Sequence, residues 1–255
     1  MTVPLVTACN EAYFPGLRAL YRSYLANAGE GFDFYCIVEG DDALFAKIEA
    51  LGIKTIKSND WADVYPLSDH WPVKIKSLFA DLQIPQLFPD HEKAIWIDAD
   101  CLIVDSIEEL LGYEFDEPVA TPFMRTYAMT LGYQLLNCPP EIETVQGPFT
   151  ALVIFNIPEW NKLGLTAKCA EAMAHKTITY KFCDQSVLGF VVLNNWCKLP
   201  MKWQTFAHRR GETGDGAIIL HWLLHKPWDG AAPYRDDLHK QTNAQTQRIW
   251  DKYGL

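Results

Sequence analysis

An apolar run, Ala94-Ile95-Trp96-Ile97, ends abruptly in two carboxylates separated by one small residue, Asp98-Ala99-Asp100. In extended backbone, residues two apart project to the same side, so this spacing predicts that Asp98 and Asp100 face a common ligand. Neighbouring carboxylates repel each other, and a divalent cation removes that repulsion. Taken alone, the pattern fits two solvated acids in a turn equally well. A second stretch, Ile218-Ile219-Leu220-His221, delivers an imidazole, and five residues later Lys226 precedes the stiff pair Pro227-Trp228. His221 would complete a carboxylate–imidazole set of the kind that suits Mn²⁺. Lys226 would neutralise a phosphate as a point charge. The plain alternative makes His221 a core histidine bonded to backbone and Lys226 a surface lysine.

The flanking pattern says what must position these groups. Pro4 to Cys9, Phe32 to Val38, Ile53 to Ile56 and Lys93 to Asp98 are short, strand-like runs. Between them lie helical patterns: Phe14, Leu17, Leu20, Tyr21 and Tyr24, then Leu44, Phe45, Ile48 and Leu51 with Gly52 as a stop. Ile75, Leu78, Phe79 and Leu82 predict a third helix ending near Pro85. Strands alternating with helices of this length predict βαβ units and an α/β fold with a mainly parallel, doubly wound sheet flanked by helices. Ligands of such sheets sit beyond the carboxyl ends of the strands, where Asp98 and Asp100 fall. Extended structure resumes at Leu102-Ile103-Val104. Ala151 to Phe155 and Ala217 to Leu220 are further strands, and residues 157–173 and 184–193 are helical in pattern. Residues 122–148 form a loop-rich excursion, of a length that is more often functional than not.

The 255 residues carry 22 basic and 32 acidic side chains, a formal charge of −10, and are 49% hydrophobic. That composition excludes coiled coil, collagen and wholesale disorder, and the charge disfavours broad binding to nucleic acid or anionic lipid. No apolar run reaches the length of a membrane span. The seven cysteines are odd in number, form no Cys-x-x-Cys pair and sit partly in apolar runs. They are expected to be buried, reduced thiols of a cytoplasmic protein. One domain over 1–255 is expected, its first half ending near residue 105, its second spanning about 106–230, and a helical tail over 231–255.

In combination the two chemical stretches resemble those of the glycogenin-like retaining glycosyltransferases, glycosyltransferase family 8, whose GT-A fold carries a DxD motif and a late His…Lys-Pro-Trp motif. More of the chain follows in the same order. Thr7-Ala8-Cys9-Asn10-Glu11-Ala12-Tyr13 resembles the first strand–helix turn of the family, and Lys74 resembles its lysine that reaches the nucleotide sugar. Phe149 to Asn156 resembles the strand lining the sugar pocket, Asp184-Gln185 the pair at the sugar's reacting face, and Leu199-Pro200-Met201-Lys202-Trp203-Gln204 the Leu-Pro-x-x-Tyr-Asn turn. The resemblance implies a metal-dependent transferase that moves a hexose, glucose or galactose, from a UDP-sugar to a saccharide or other hydroxyl acceptor with retention. By the same resemblance Asp98, Asp100 and His221 would hold Mn²⁺ (or Mg²⁺). Thr7, Cys9, Asn10, Tyr13, Lys74, Asp98, Ala99 and Lys226 would bind the donor, and Asp184 and Gln185 would act at the anomeric centre.

Some positions depart from that pattern. The family spaces its His and Lys six apart with an intervening glycine; here the gap is five and Leu224 takes the glycine's place. The pocket strand reads Phe149-Thr150-Ala151-Leu152 where the family favours Asn-x-Gly. About eight extra residues, among them Pro85, Phe88 and Pro89, precede the DxD strand. Two alternatives stay open at this level. One is a catalytically degenerate sugar-nucleotide-binding or interaction protein. The other is a phosphatase of the haloacid dehalogenase type, with Gly214-Asp215-Gly216 as its late acidic motif.

Overall fold

In the computed structural model the residues described are 2–57, 76–122, 147–174, 183–207, 216–222, 226–228 and 237–254. A seven-stranded sheet runs through the centre in the order β3-β2-β1-β4-β7-β6-β8. Its strands are β1 (Val3–Cys9), β2 (Phe32–Val38), β3 (Lys54–Lys57), β4 (Lys93–Ile97), β6 (Val119–Pro122), β7 (Leu152–Asn156) and β8 (Cys197–Leu199). β5 (Cys101–Ile103), β9 (Thr205–Phe206) and β10 (Ile219–His221) form a second, three-stranded sheet with β10 in the middle. The large sheet is parallel except where β7 runs against both β4 and β6. Leu5 pairs with Ile95 and Val6 with Trp96, so β4 lies beside β1 in the sheet interior. The α/β, mainly parallel expectation holds.

Period-two alternation along β1 sends Leu5 to one face and Val6 to the other, and both are fully buried. The Leu5 face packs under α1 (Phe14–Asn27) and α2 (Asp42–Glu49), through Leu17, Leu20, Leu44 and Ile48. Burying each such side chain stabilises the fold by about 1.5–3 kcal/mol. The opposite face is covered by α3 (Ile84–Leu87), α4 (Ile157–Lys162), α5 (Leu165–Ala174) and α6 (Cys183–Val192). Local signals set several boundaries. Asp41 caps α2 by accepting from the Leu44 N–H at 3.0 Å. Beyond its end, Gly52 takes φ +88°, a left-handed conformation favoured by glycine.

Two expectations are corrected. The region leading to Pro85 is not one helix stopped by proline. It comprises 3-10 turns at Lys76–Phe79 and Asp81–Gln83, followed by the short α3, which carries Pro85 in its first turn. Proline lacks the N–H that a first turn leaves unpaired, so it starts this helix. The single helical span 157–173 is two helices, broken at Gly164 with φ +64°. The C-terminal α7 (Asp237–Gly254) docks on α1, where Arg18 donates to the Gly254 carbonyl at 2.7 Å and Asn27 to the Tyr253 hydroxyl at 2.9 Å.

Cys9, Cys36, Cys101, Cys169 and Cys197 are free thiols, all buried but the last. Among the described residues no helix is long and apolar enough to cross a membrane. Lys74 and Ile75, most of the 122–148 excursion (with Met124, Arg125, Tyr127, Tyr133 and Asn137), His208-Arg209-Arg210, Gly214-Asp215, and Leu224 and His225 lie outside the described residues.

Candidate active site

β4 delivers the acidic pair at the carboxyl end of the sheet. Asp98 still pairs through its backbone, its N–H donating to the Ala151 carbonyl at 3.1 Å. The chain then turns, with Cys101 N–H donating back to the Asp98 carbonyl at 3.0 Å. The run is therefore a tight turn rather than continued strand, and the two carboxylates have different neighbours. Asp98 accepts from the Trp96 indole N–H at 2.8 Å. Asp100 is 6% exposed and meets the second sheet, where its carbonyl accepts from the Trp222 N–H at 3.1 Å.

β10 presents His221 opposite Cys101 on β5 and beside Phe206 on β9. His221 Nε2 lies 3.3 Å from Asp100 Oδ1. Lys226 Nζ sits 2.5 Å from Asp100 Oδ2 and donates to the Trp222 carbonyl at 2.7 Å. Phe149 and Phe206 flank the imidazole at 5.8 and 5.9 Å between ring centres. The Gln204 side-chain amide meets His221 Nδ1 at 3.2 Å. Side-chain donor atoms of Asp100, Cys101 and His221 all lie within 4.8 Å of one another, a grouping that does not include Asp98.

The electrostatics separate these acids. Burial would raise Asp100, but the His221 ring and the Lys226 ammonium outweigh it and hold the carboxyl at about 2. Asp98 is pushed up to about 7 by burial and by the Asp100 charge. Burial also takes Asp184 to about 7, against the Thr150 hydroxyl and backbone amides that stabilise its charge. Burial pushes the Cys101 thiol well up, and the Asp100 and Asp98 charges add to the rise. A hard divalent cation prefers carboxylate and imidazole donors to a thiol, which favours Asp100 and His221 as the donors. Two ligand atoms sharing one divalent ion lie about 3 Å apart, and Asp100 Oδ1 is buried with no hydrogen-bond partner among the described residues. The residues present fit a divalent cation.

Of the first-turn residues, Tyr13 reaches the same place. Asn10 Oδ1 accepts from the Tyr13 N–H at 3.2 Å, turning the chain after β1. Tyr13 packs edge-on against Trp228 at 6.0 Å and lies under the Lys226 ammonium at 5.8 Å. Trp228 Nε1 donates to the Ala12 carbonyl at 3.1 Å. Thr7 is fully buried and its hydroxyl is unpartnered among the described residues, while the Cys9 thiol turns to the Asn10 carbonyl at 3.1 Å. Ala99, 5% exposed, directs its carbonyl at Gly16. Asp184 and the buried Gln185 open α6.

Several residues of this site were given no role from the sequence, although Gln204 and Thr150 lie in segments that the resemblance picked out. Gln204, Gly16 and Thr150 are brought in by packing between distant segments. Asp81 is 1% exposed with both carboxylate oxygens unpartnered among the described residues. Burial raises it well above the carboxylate range, and the Asp184 and Asp98 charges add to this. The signal that could have found Trp96 is its place two before Asp98, on the same strand face.

No match was found among curated protein sequences. Among solved structures, the WbbM bifunctional glycosyltransferase is similar at TM-score 0.72 and 17% identity, over 99% of this chain and 51% of that one. GlyE of Streptococcus pneumoniae is similar at TM-score 0.64 and 15% identity, over all of this chain and 60% of that one. The galactosyltransferase LgtC, solved with donor and acceptor sugar analogues, is similar at TM-score 0.65 and 14% identity, over 99% of this chain and 97% of that one. This chain thus spans about half of the first and three-fifths of the second. At these identities the likeness shows the fold, GT-A. The sequence itself matches the description glycosyl transferase family 8 over residues 4–232, which takes in the acidic turn, the histidine strand and the lysine turn, and the chain belongs to that family.

Proposed function

We propose that the protein transfers a hexosyl group, glucosyl or galactosyl, from a UDP-sugar to an acceptor hydroxyl with retention of configuration, assisted by Mn²⁺. One observation carries this: an unpartnered, buried oxygen of Asp100 faces His221 Nε2 at 3.3 Å while Lys226 holds the other oxygen. A carboxylate, an imidazole and an ammonium together suit a diphosphate and its cation. Asp100 and His221 would hold the ion, with Asp98 beside them. When bound, it would supply positive charge to the departing diphosphate.

The other roles belong to the chain's own side chains. Lys226 stabilises charge that develops on the leaving phosphate as the glycosidic bond breaks. Tyr13, itself packed against Trp228, flanks the ammonium on one side. Thr7, Cys9, Asn10 and Ala99 line the nucleotide end, and Lys74 is assigned there by resemblance. Asp184 and Gln185 position the anomeric centre, and the departing phosphate oxygen helps take the acceptor's proton. The acidic pair ends β4, inside the sheet, whereas a haloacid-dehalogenase phosphatase carries its nucleophile at the end of the first strand.

The test is calorimetry of UDP, UDP-glucose and UDP-galactose with and without Mn²⁺, followed by turnover of any bound sugar. Binding that needs Mn²⁺, and turnover lost in a folded Asp100→Ala variant, are expected. No binding of any of the three with Mn²⁺ overturns the proposal.

A further inference from the structure

The side chain of Gln204 is 1% exposed and reaches the far nitrogen of His221, with 3.2 Å between its amide nitrogen and Nδ1. In that orientation the amide donates, Nδ1 accepts, and the ring proton sits on Nε2 facing Asp100. Gln204 Oε1 then stays unpaired among the described residues, and Asp100 Oδ1 has only the long approach of Nε2 at 3.3 Å. A half-turn of the amide reverses the Gln204–Nδ1 pairing. Oε1 then accepts from Nδ1–H, the Nε2 lone pair is free, and one cation shared by Nε2 and Oδ1 satisfies the remaining oxygen. The rotation by itself pairs Oε1 in exchange for the amide nitrogen, and the cation is what satisfies Oδ1; a buried acceptor left unpaired costs about 1–3 kcal/mol.

The position is firmly held. Gln204 N–H donates to the Met201 carbonyl at 3.1 Å, and Ile218 N–H donates to the Lys202 carbonyl at 2.8 Å, tying this turn to the start of β10. The next residue, Thr205, pairs with Leu220 and Phe206 pairs with His221. Phe149 and Phe206 leave the imidazole little freedom to turn away. We propose that Gln204 is a positioning residue that selects the His221 tautomer, its carbonyl accepting Nδ1–H so that Nε2 is presented to a divalent cation beside Asp100. This rests on the metal site proposed above and deepens it. Partners of this kind behind a metal-bound histidine are worth about 10–100-fold in metal affinity.

The experiment compares wild type, Gln204→Met and Gln204→Glu, using Mn²⁺ binding in the presence of UDP, read by the electron paramagnetic resonance signal of free Mn²⁺. Gln204→Met is expected to raise the Kd for Mn²⁺ by roughly 10–100-fold. Gln204→Glu, which keeps an acceptor, is expected to stay within about three-fold of wild type. A second measurement needs no variant: ring ¹⁵N shifts of His221 in wild type with Mg²⁺ and UDP, where Nδ1–H and a proton-free Nε2 are expected. A Gln204→Met Kd within two-fold of wild type, or a proton retained on Nε2 with the metal bound, overturns the role of Gln204 alone. Wild type that takes up no Mn²⁺ with UDP overturns the metal site itself, and the two failures are distinct.

Discussion

Lys226 holds the carboxylate that the proposal gives to a divalent ion, so the two cations compete for Asp100. Two unit charges at contact distance interact by about 4 kcal/mol at an effective dielectric near 20. Solvent and the nearby Asp98 charge recover only part of that for a new ligand. A Lys226→Met variant is therefore expected to bind Mn²⁺ about 3–10-fold more tightly in the absence of nucleotide, since Asp100 loses its internal counter-ion. The same variant should bind UDP with Mn²⁺ at least about ten-fold more weakly, because a phosphate then lacks its ammonium partner. Paired calorimetric titrations check both, and unchanged or weaker Mn²⁺ binding without nucleotide would show that Lys226 does not compete. The opposite signs follow from one side chain serving two anions at different times.

At the scale of elements, the site depends on how closely α1 can approach the acidic turn. Gly16 lies in the first turn of that helix, and a Cβ there would stand 2.5 Å from the Ala99 carbonyl oxygen and 2.6 Å from the Trp228 ring. An alanine in place of a helical glycine ordinarily adds about 1 kcal/mol of stability. Here the contact is with backbone, which cannot swing aside, and overpacking costs about 1–3 kcal/mol. Gly16→Ala is expected to lower the Tm by several degrees and to weaken UDP binding with Mn²⁺ about ten-fold. Gly112→Ala, whose Cβ would meet nothing within 4 Å, is the matched control and should change neither. A higher Tm for Gly16→Ala would show that α1 can retreat without cost. The C-terminal α7 enters the same assembly from outside, because Trp250 packs on both Trp222 and Trp228 at 5.7 and 5.1 Å between ring centres.

For the molecule as a whole, the excess of acid is not spread evenly over the surface. Asp81 and Asp100 are buried beside Asp98 and Asp184 at one end of the sheet, and the pull on their protons is unequal. Asp98 and Asp184 titrate at about 7 in the fold, against 3.8 ordinarily. Between those values the folded chain holds protons that the unfolded chain has released, so their contribution to stability is complete below about pH 4 and is lost as pH rises through 7. Asp100, held at about 2, runs the other way: its contribution is present above 3.8 and is lost as pH falls toward 2. In chelator-treated protein, Asp184→Asn should therefore match wild type in Tm near pH 4–5 and exceed it by roughly 3–8 °C at pH 8. Thermal melts across that range check the sign, and an advantage that shrinks with rising pH would refute it.

Much of this was legible in the chain itself. Residues Val3–Cys9, Phe32–Val38 and Lys93–Ile97 are apolar runs bounded by turn residues, and no other packing buries them as well as a central parallel sheet. The motif residues Asp98, Asp100 and His221 stand out because strands ending in polar groups place them at the carboxyl ends of the strands, and Lys226 because it precedes Pro227-Trp228. What the sequence could not determine is which charges meet. Asp98 and Asp100 were expected to face a common ligand; the backbone turn gives one the Trp96 indole and the other His221 and Lys226 as partners. Gln204 reaches His221, and Gly16 reaches Ala99 and Trp228, only because separate segments cross at one point. Local sequence dictates dihedral preference and burial period, which act over a few residues. The assignment of partners to a buried carboxylate is made when distant segments pack and water leaves, and only tertiary structure decides it.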